Sequence, residues 1–231
     1  MTASYNKKFP EDIHFVYPFF IFKKELFKMN TLKIATHDSA TGESGYGIIS
    51  WIGTPFSRTQ SKTIKEQIEA GCRLFDIRIR KTKRGWVCCH GIWESKKLLE
   101  DILTEINNVN DDVYCDITFE DDFSDDKVTK TTLYTFLGKY FINTNTSRKE
   151  FDDKIDELIN TYTNIKFCQI NVKFPEWKCV RRPNSVPCKS TFKALNGKTW
   201  HTLIPIPWLW KKVYYNKPEF STEYYTYVDF L

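Results

Sequence analysis

The run Arg73-Leu74-Phe75-Asp76-Ile77-Arg78-Ile79-Arg80 constrains the fold more than any other stretch. Phe75, Ile77 and Ile79 alternate with Asp76, Arg78 and Arg80, which is the period of a strand with one apolar and one charged face. Helical patterns surround it. Ser61 to Ala70 has a capping-type start, Ile64 and Ile68 at i, i+4 and Gly71 at its end. Leu98, Leu99, Ile102, Leu103 and Ile106 mark a helix over Lys96 to Val109, and Val113 to Phe119 reads as the next strand. Helices follow over residues 128–142 and 147–162, the second opened by Ser147 with Glu150 three residues on. Ile165–Lys173, Thr199–Ile204 and Tyr224–Leu231 complete the strand candidates. Strands alternating with helices give an α/β fold with a largely parallel sheet. About six strands besides the hairpin arm would make any eight-stranded barrel irregular.

Of the 231 residues 41% are hydrophobic, enough for one full core. A single domain is expected, with residues 31–231 as its body and residues 1–30 as a strap against it. Ile13 to Phe22 in that strap is apolar, but ten residues interrupted by Pro18 cannot cross bilayer hydrocarbon. Glu11 and Asp12 before it and Lys23-Lys24-Glu25 after it do not match a secretory leader. Lys and Arg outnumber Asp and Glu by 34 to 29, and the formal +5 is spread along the chain, so no nucleic-acid partner is indicated. Seven cysteines, two of them the adjacent Cys88-Cys89, suit neither a disulfide framework nor a zinc site. Reduced thiols in a cytoplasmic or membrane-peripheral setting are expected.

Chemistry-bearing residues collect at the strand ends. Leu32-Lys33-Ile34-Ala35 reads as a buried strand that opens through Thr36-His37-Asp38-Ser39 into small residues, Ala40 to Gly47. Ligands of α/β proteins bind outside the carboxyl ends of strands, so a histidine and a carboxylate emerging there are candidates for chemistry. The charged strand closes as a hairpin with Trp86-Val87-Cys88-Cys89-His90. A turn centred on Lys83 sets Arg78 opposite Cys88 and Asp76 opposite His90, so all three polar side chains share a face; a one-residue slip turns His90 away. Glu120-Asp121-Asp122 stand at the end of the following strand. Residues 175–198, with three Pro and two Cys, read as an irregular excursion.

In that order, Thr36-His37-Asp38-Ser39, Gly71 to Arg78 and Cys89-His90-Gly91 resemble the X-domain of phosphatidylinositol-specific phospholipases C, most closely its bacterial-type, metal-independent branch. The resemblance is strong over residues 32–93 and extends to the strand ending in Glu120 and to Val228-Asp229-Phe230. It implies a distorted, often incomplete (β/α)8 barrel. It also implies cleavage of phosphatidylinositol or a related glycerophospholipid by intramolecular attack, giving a cyclic phosphate and diacylglycerol. His37 would be the general base and His90 the general acid, tasks that suit imidazoles titrating near neutrality. Arg78 would hold the non-bridging phosphate oxygens. Asp38 would orient Arg78 and assist His90, Asp229 would fix the tautomer of the base, and Asp76 would contact the headgroup or hold Arg78.

Bacterial-type enzymes carry a lysine where this chain has Glu120, and calcium-dependent animal relatives carry a glutamate. Lys173 could supply the positive charge instead. The resemblance implies no metal or cofactor, with calcium or magnesium at Glu120 and Asp121 as the weaker alternative. Trp51, and the Pro-flanked Trp208-Leu209-Trp210 before Lys211-Lys212, are the expected rim against a bilayer, the partner of a peripheral monomer. Two other classes stay open. A different glycerophosphodiester hydrolase would want a Glu-x-Asp pair where Asp76-Ile77-Arg78 stands, and an inactive barrel binding phospholipid or protein would have no need of both His37 and His90.

Overall fold

The computed structural model describes residues 32–125, 145–173, 178–183, 190–191 and 220–231. The N-terminal strap, the helix expected over 128–142, the strand expected over 199–204 and the rim residues Trp208 and Trp210 lie outside the described residues. The elements run β1 (Ile34–Thr36), a 3-10 turn (Ser39–Gly42), α1 (Gly47–Ser57), α2 (Ile64–Glu69), β2 (Cys72–Thr82), β3 (Gly85–His90), β4 (Trp93–Leu98) and α3 (Leu99–Asn107). Then come β5 (Val113–Phe119), α4 (Arg148–Thr161), β6 (Ile165–Val172), β7 (Lys178–Arg181), β8 (Ser190–Thr191) and β9 (Tyr225–Val228).

Among the described residues the strands form one sheet in the order β7-β6-β5-β2-β1-β9-β8, with β3 and β4 as a hairpin off β2. β6, β5, β2, β1, β9 and β8 are mutually parallel. The last strand in sequence therefore lies beside the first, as the closing strand of a barrel must, while antiparallel β7 ends the row at the other side. The fold is a distorted, incomplete (β/α)8 barrel with all its parallel carboxyl ends on one rim.

The sequence period explains which side is which. Phe75, Ile77 and Ile79 of β2 and Ile117 and Phe119 of β5 join Ile102, Leu103 and Ile106 of α3 and Phe151, Ile155 and Leu158 of α4 in the main core. Phe119 stacks on Phe123 at 4.8 Å between ring centroids and tilts against Phe151 at 5.2 Å. Ala35, Leu74 and Tyr227 form a separate cluster on the opposite face of the sheet. Helix starts follow their signals: Glu66 closes a capping box on Thr63, and Glu150 one on Ser147.

The charged face of β2 is enclosed, and Asp76, Arg78 and Arg80 are all buried. Other expectations are corrected. The hairpin turns on the two residues Lys83 and Arg84, with Gly85 at φ 116°, which pairs Ile79 with Cys88 and so slips the expected register by one. Trp93–Leu98 is a strand, so α3 begins at Leu99, where Asp101 accepts a hydrogen bond from the Leu98 N–H at 3.1 Å. The 175–198 stretch contains β7 and β8, and the small-residue run after β1 leads into α1, a helix that Gly45, Gly47 and Pro55 disguise in the sequence.

Candidate active site

Parallel strands deliver their polar ends to one place. His37 and Asp38 follow β1, Glu120 follows β5, Lys173 follows β6 and Asp229 follows β9, while Asp76 and Arg78 project from within β2. Asp38 is left-handed at φ 43° and so is Phe230, next to Asp229, at φ 57°. Non-glycine residues in that region store strain, commonly about 1–3 kcal/mol each, and persist where their surroundings hold them.

Arg78 is the centre of the cluster. Its Nε contacts Asp38 Oδ1, its Nη2 lies 3.3 Å from Asp76 Oδ2, and its Nη1 donates to Glu120 Oε1 at 3.0 Å. All four side chains are buried, so the guanidinium compensates carboxylates that water cannot reach, and it stays charged, its pKa pushed further up. Burial alone would raise Glu120, but Lys173, with Nζ 2.5 Å from Oε2, and Arg78 hold it well below the usual carboxylate range. Asp76 Oδ2 also accepts from the Asp38 N–H at 3.2 Å.

The two histidines flank this centre. His37 Nδ1 donates to Asp229 Oδ1 at 3.1 Å, and Arg78 Nη2 donates to His37 Nε2 at 2.9 Å. His90 Nδ1 donates to the Ser57 carbonyl at 2.9 Å and lies 3.2 Å from Asp38 Oδ2, which is itself 3.4 Å from His37 Nδ1. Neither Asp38 oxygen has an aligned hydrogen bond, so this carboxylate acts as a charge placed against the Arg78 guanidinium and both imidazoles. In both rings Nδ1 carries the fixed proton and Nε2 is the nitrogen that titrates, in His37 against the contact with Arg78.

Their environments push the histidines apart. Burial lowers His37, but Asp38 and the Asp229 hydrogen bond outweigh it and raise the pKa to about 9. That conflicts with the Arg78 contact, because a guanidinium has no acceptor and the 2.9 Å geometry exists only with a neutral ring. Proton uptake on Nε2 therefore requires Arg78 to draw back. His90 is lowered, chiefly by burial, with Asp38 opposing.

A metal fits this cluster poorly. His37, Asp38 and Asp76 place ligand atoms within 4.8 Å of one another, but Arg78 already contacts each of the three. Glu120 is engaged by Arg78 and Lys173, and Asp121 by Arg80 through Nε at 3.1 Å and Nη2 at 2.8 Å. Of the expected rim, Trp51 stands 76% exposed on α1.

Sequence reading missed Gln60 and Thr59, which bind the His37 carbonyl and the backbone around Asp229, and nothing in the Arg58–Lys62 loop signals it. It also missed Asp116, which accepts from the Tyr227 hydroxyl at 2.5 Å beside Asp76 in the sheet and whose pKa burial raises to about 6. A carboxylate inside the apolar β5 pattern was the available signal.

No family model matches the chain. A PI-PLC X-box domain-containing protein of Dictyostelium discoideum is 28% identical over 149 residues, covering 57% of this chain and 20% of that protein. The chain spans about a fifth of the length of that relative. Among solved structures, the phosphatidylinositol-specific phospholipase C of Listeria monocytogenes is 15% identical at a TM-score of 0.48, over 87% of this chain and 89% of that one. A mutant of the Staphylococcus aureus enzyme is 25% identical at a TM-score of 0.33, over 48% of this chain and 37% of that one.

Proposed function

We propose that this chain is a member of the X-domain family of phosphatidylinositol-specific phospholipases C and a metal-independent phosphodiesterase that cleaves phosphatidylinositol or a related glycerophospholipid at a membrane surface. The observation that carries the proposal is the pair of imidazoles, His37 and His90, each with a titratable Nε2 and each within 3.4 Å of the one buried carboxylate Asp38 beside Arg78. Binding alone needs no such pair. His37 Nε2 removes the proton of the hydroxyl next to the phosphodiester, and that oxygen bonds to phosphorus. The bond from phosphorus to the glycerol oxygen breaks, and His90 Nε2 returns a proton to the departing oxygen. The products are a cyclic phosphate and diacylglycerol.

The arriving phosphodiester supplies what the resting site lacks. Its negative charge attracts Arg78 away from His37 Nε2, freeing that atom, and raises the proton affinity of His90, which burial depresses. Arg78 then neutralises charge on the non-bridging oxygens as the ring closes. Asp38, Asp76 and Glu120 hold the guanidinium in place, and Lys173 offsets the charge of Glu120.

Membrane contact falls to α1, which borders the site through the Ser57 carbonyl on His90 and exposes Ile48, Trp51, Ile52 and Phe56. No helix among the described residues is long and apolar enough to cross a bilayer. The test is release of cyclic inositol phosphate from phosphatidylinositol vesicles. His37→Ala and His90→Ala should each lose roughly 10²- to 10⁴-fold in turnover with folding intact. Turnover within a few-fold of the parent in either variant overturns the assignment, and no release by the parent favours the binding barrel.

A further inference from the structure

We infer that Gln60 is a positioning residue that holds the His37–Asp229 pair in register, an inference that rests on the base role proposed for His37. Gln60 is fully buried in the loop between α1 and α2. Its Nε2 donates to the His37 carbonyl at 2.9 Å and to the Val228 carbonyl at 2.8 Å, while its Oε1 accepts from the Leu231 N–H at 3.2 Å. One side chain thus spans the carboxyl ends of β1 and β9, the strands that carry the base and its carboxylate. The amide cannot be turned over, since that would set its oxygen against two carbonyls and its NH2 against an N–H.

Thr59 completes the clamp. Its Oγ1 donates to the His37 carbonyl at 3.1 Å, and its own carbonyl accepts from Phe230 N–H at 2.7 Å. His37 N–H in turn donates to the Val228 carbonyl at 3.1 Å. The clamp grips the backbone immediately before each of the two left-handed non-glycine residues, Asp38 and Phe230, or at that residue itself. Those strained turns aim His37 and Asp229 at each other, and the clamp is what over-determines them.

The test compares Gln60→Met, which keeps length and loses the three hydrogen bonds, with Asp229→Asn and the double variant. His37 faces Asp38 from its own strand end, Asp76 and Arg78 from β2 and Asp229 from β9, and only the last of these contacts should loosen. In Gln60→Met, kcat should fall roughly 10- to 100-fold with little change in KM, and the double variant should lose no more than Asp229→Asn. NMR titration of the His37 ring should show its pKa dropping toward that in Asp229→Asn, a readout that needs no turnover and so survives failure of the proposed activity. A folded Gln60→Met protein with an unchanged His37 titration overturns the inference. If Gln60→Met does not fold, Thr59→Val, which removes one donor, should shift His37 in the same direction with Thr59→Ser restoring it; no shift in Thr59→Val overturns it equally.

Discussion

His37 and His90 each have Nδ1 committed to an acceptor, so the pH response of the site reduces to Nε2 in two differently charged surroundings. Asp38 and Asp229 favour the proton of His37, and the burial of His90 disfavours one, which is the reverse of what a resting base and acid need. Only a fraction of the free protein is then in the reactive state, and kcat/KM should be bell-shaped with an alkaline limb near 9 that belongs to His37. Asp229→Asn removes one carboxylate that raises His37, so this limb should move to lower pH. A limb that stays in place would assign it to another group. Stability carries the same signature. A histidine raised above its unfolded value of 6.5 contributes stability that is fully present below 6.5 and lost as pH rises through about 9. The melting temperature of the parent should therefore fall across that window, and the fall should be smaller in Asp229→Asn.

At the scale of elements, α1 is an inverted amphipathic helix. Ser50, Gly53 and Ser57 form its buried side, and Ile48, Trp51, Ile52 and Phe56 face outward. Small residues are needed where it docks: a Cβ on Gly53 would stand 2.7 Å from Ile92 Cγ1, and Ser50 Oγ exchanges hydrogen bonds with the Glu94 backbone at 2.9 and 3.2 Å. Apolar side chains left outside on a helix beside the site suit the lipid surface proposed as its partner. Ile48→Ser/Trp51→Ala should weaken binding to phosphatidylinositol vesicles at least roughly tenfold without lowering the melting temperature, since the removed atoms are already in water. Unchanged binding would place the membrane contact elsewhere. This helix also shows why some elements were illegible in the sequence. Periodicity reveals an element that buries its large residues, as β2, β5, α4 and β6 do, and their spans matched the reading closely. α1 buries its small ones, and β4 spends Glu94, Lys96 and Lys97 among its six residues, so each looks like loop or helix start. His37 and Asp229 at strand ends and Arg78 within β2 could be singled out because they sit in recognisable strings, whereas Gln60 acts on backbone atoms, which leave no pattern.

Across the whole molecule, six parallel strands aim four carboxylates, Asp38, Asp76, Glu120 and Asp229, at one rim, and the central question is which cation answers them. Arg78 answers three directly, with Lys173 sharing Glu120. A divalent ion drawn to His37, Asp38 and Asp76 would sit against that guanidinium. At about 4 Å the repulsion between charges of two and one amounts to roughly 8 kcal/mol at an effective dielectric constant of 20, which a site with committed carboxylates cannot offset. Removing Arg78 outright would leave Asp38 and Asp76 without their guanidinium and Glu120 with Lys173 alone, at about 3–5 kcal/mol of stability for a broken buried pair, so Arg78→Ala would confuse folding with chemistry. Arg78→Lys keeps the charge and loses the planar fork. We expect that variant to fold and to lose roughly 10²- to 10³-fold in turnover, because one ammonium cannot span two phosphate oxygens and the three carboxylates together. The parent should keep its turnover in excess chelator, with calcium or magnesium add-back changing neither protein by more than about twofold, well under the about 3–4 kcal/mol attached to a preorganised charge. Loss with chelator and recovery with metal would make Asp38 and Asp76 ligands and displace Arg78 from the centre of the site.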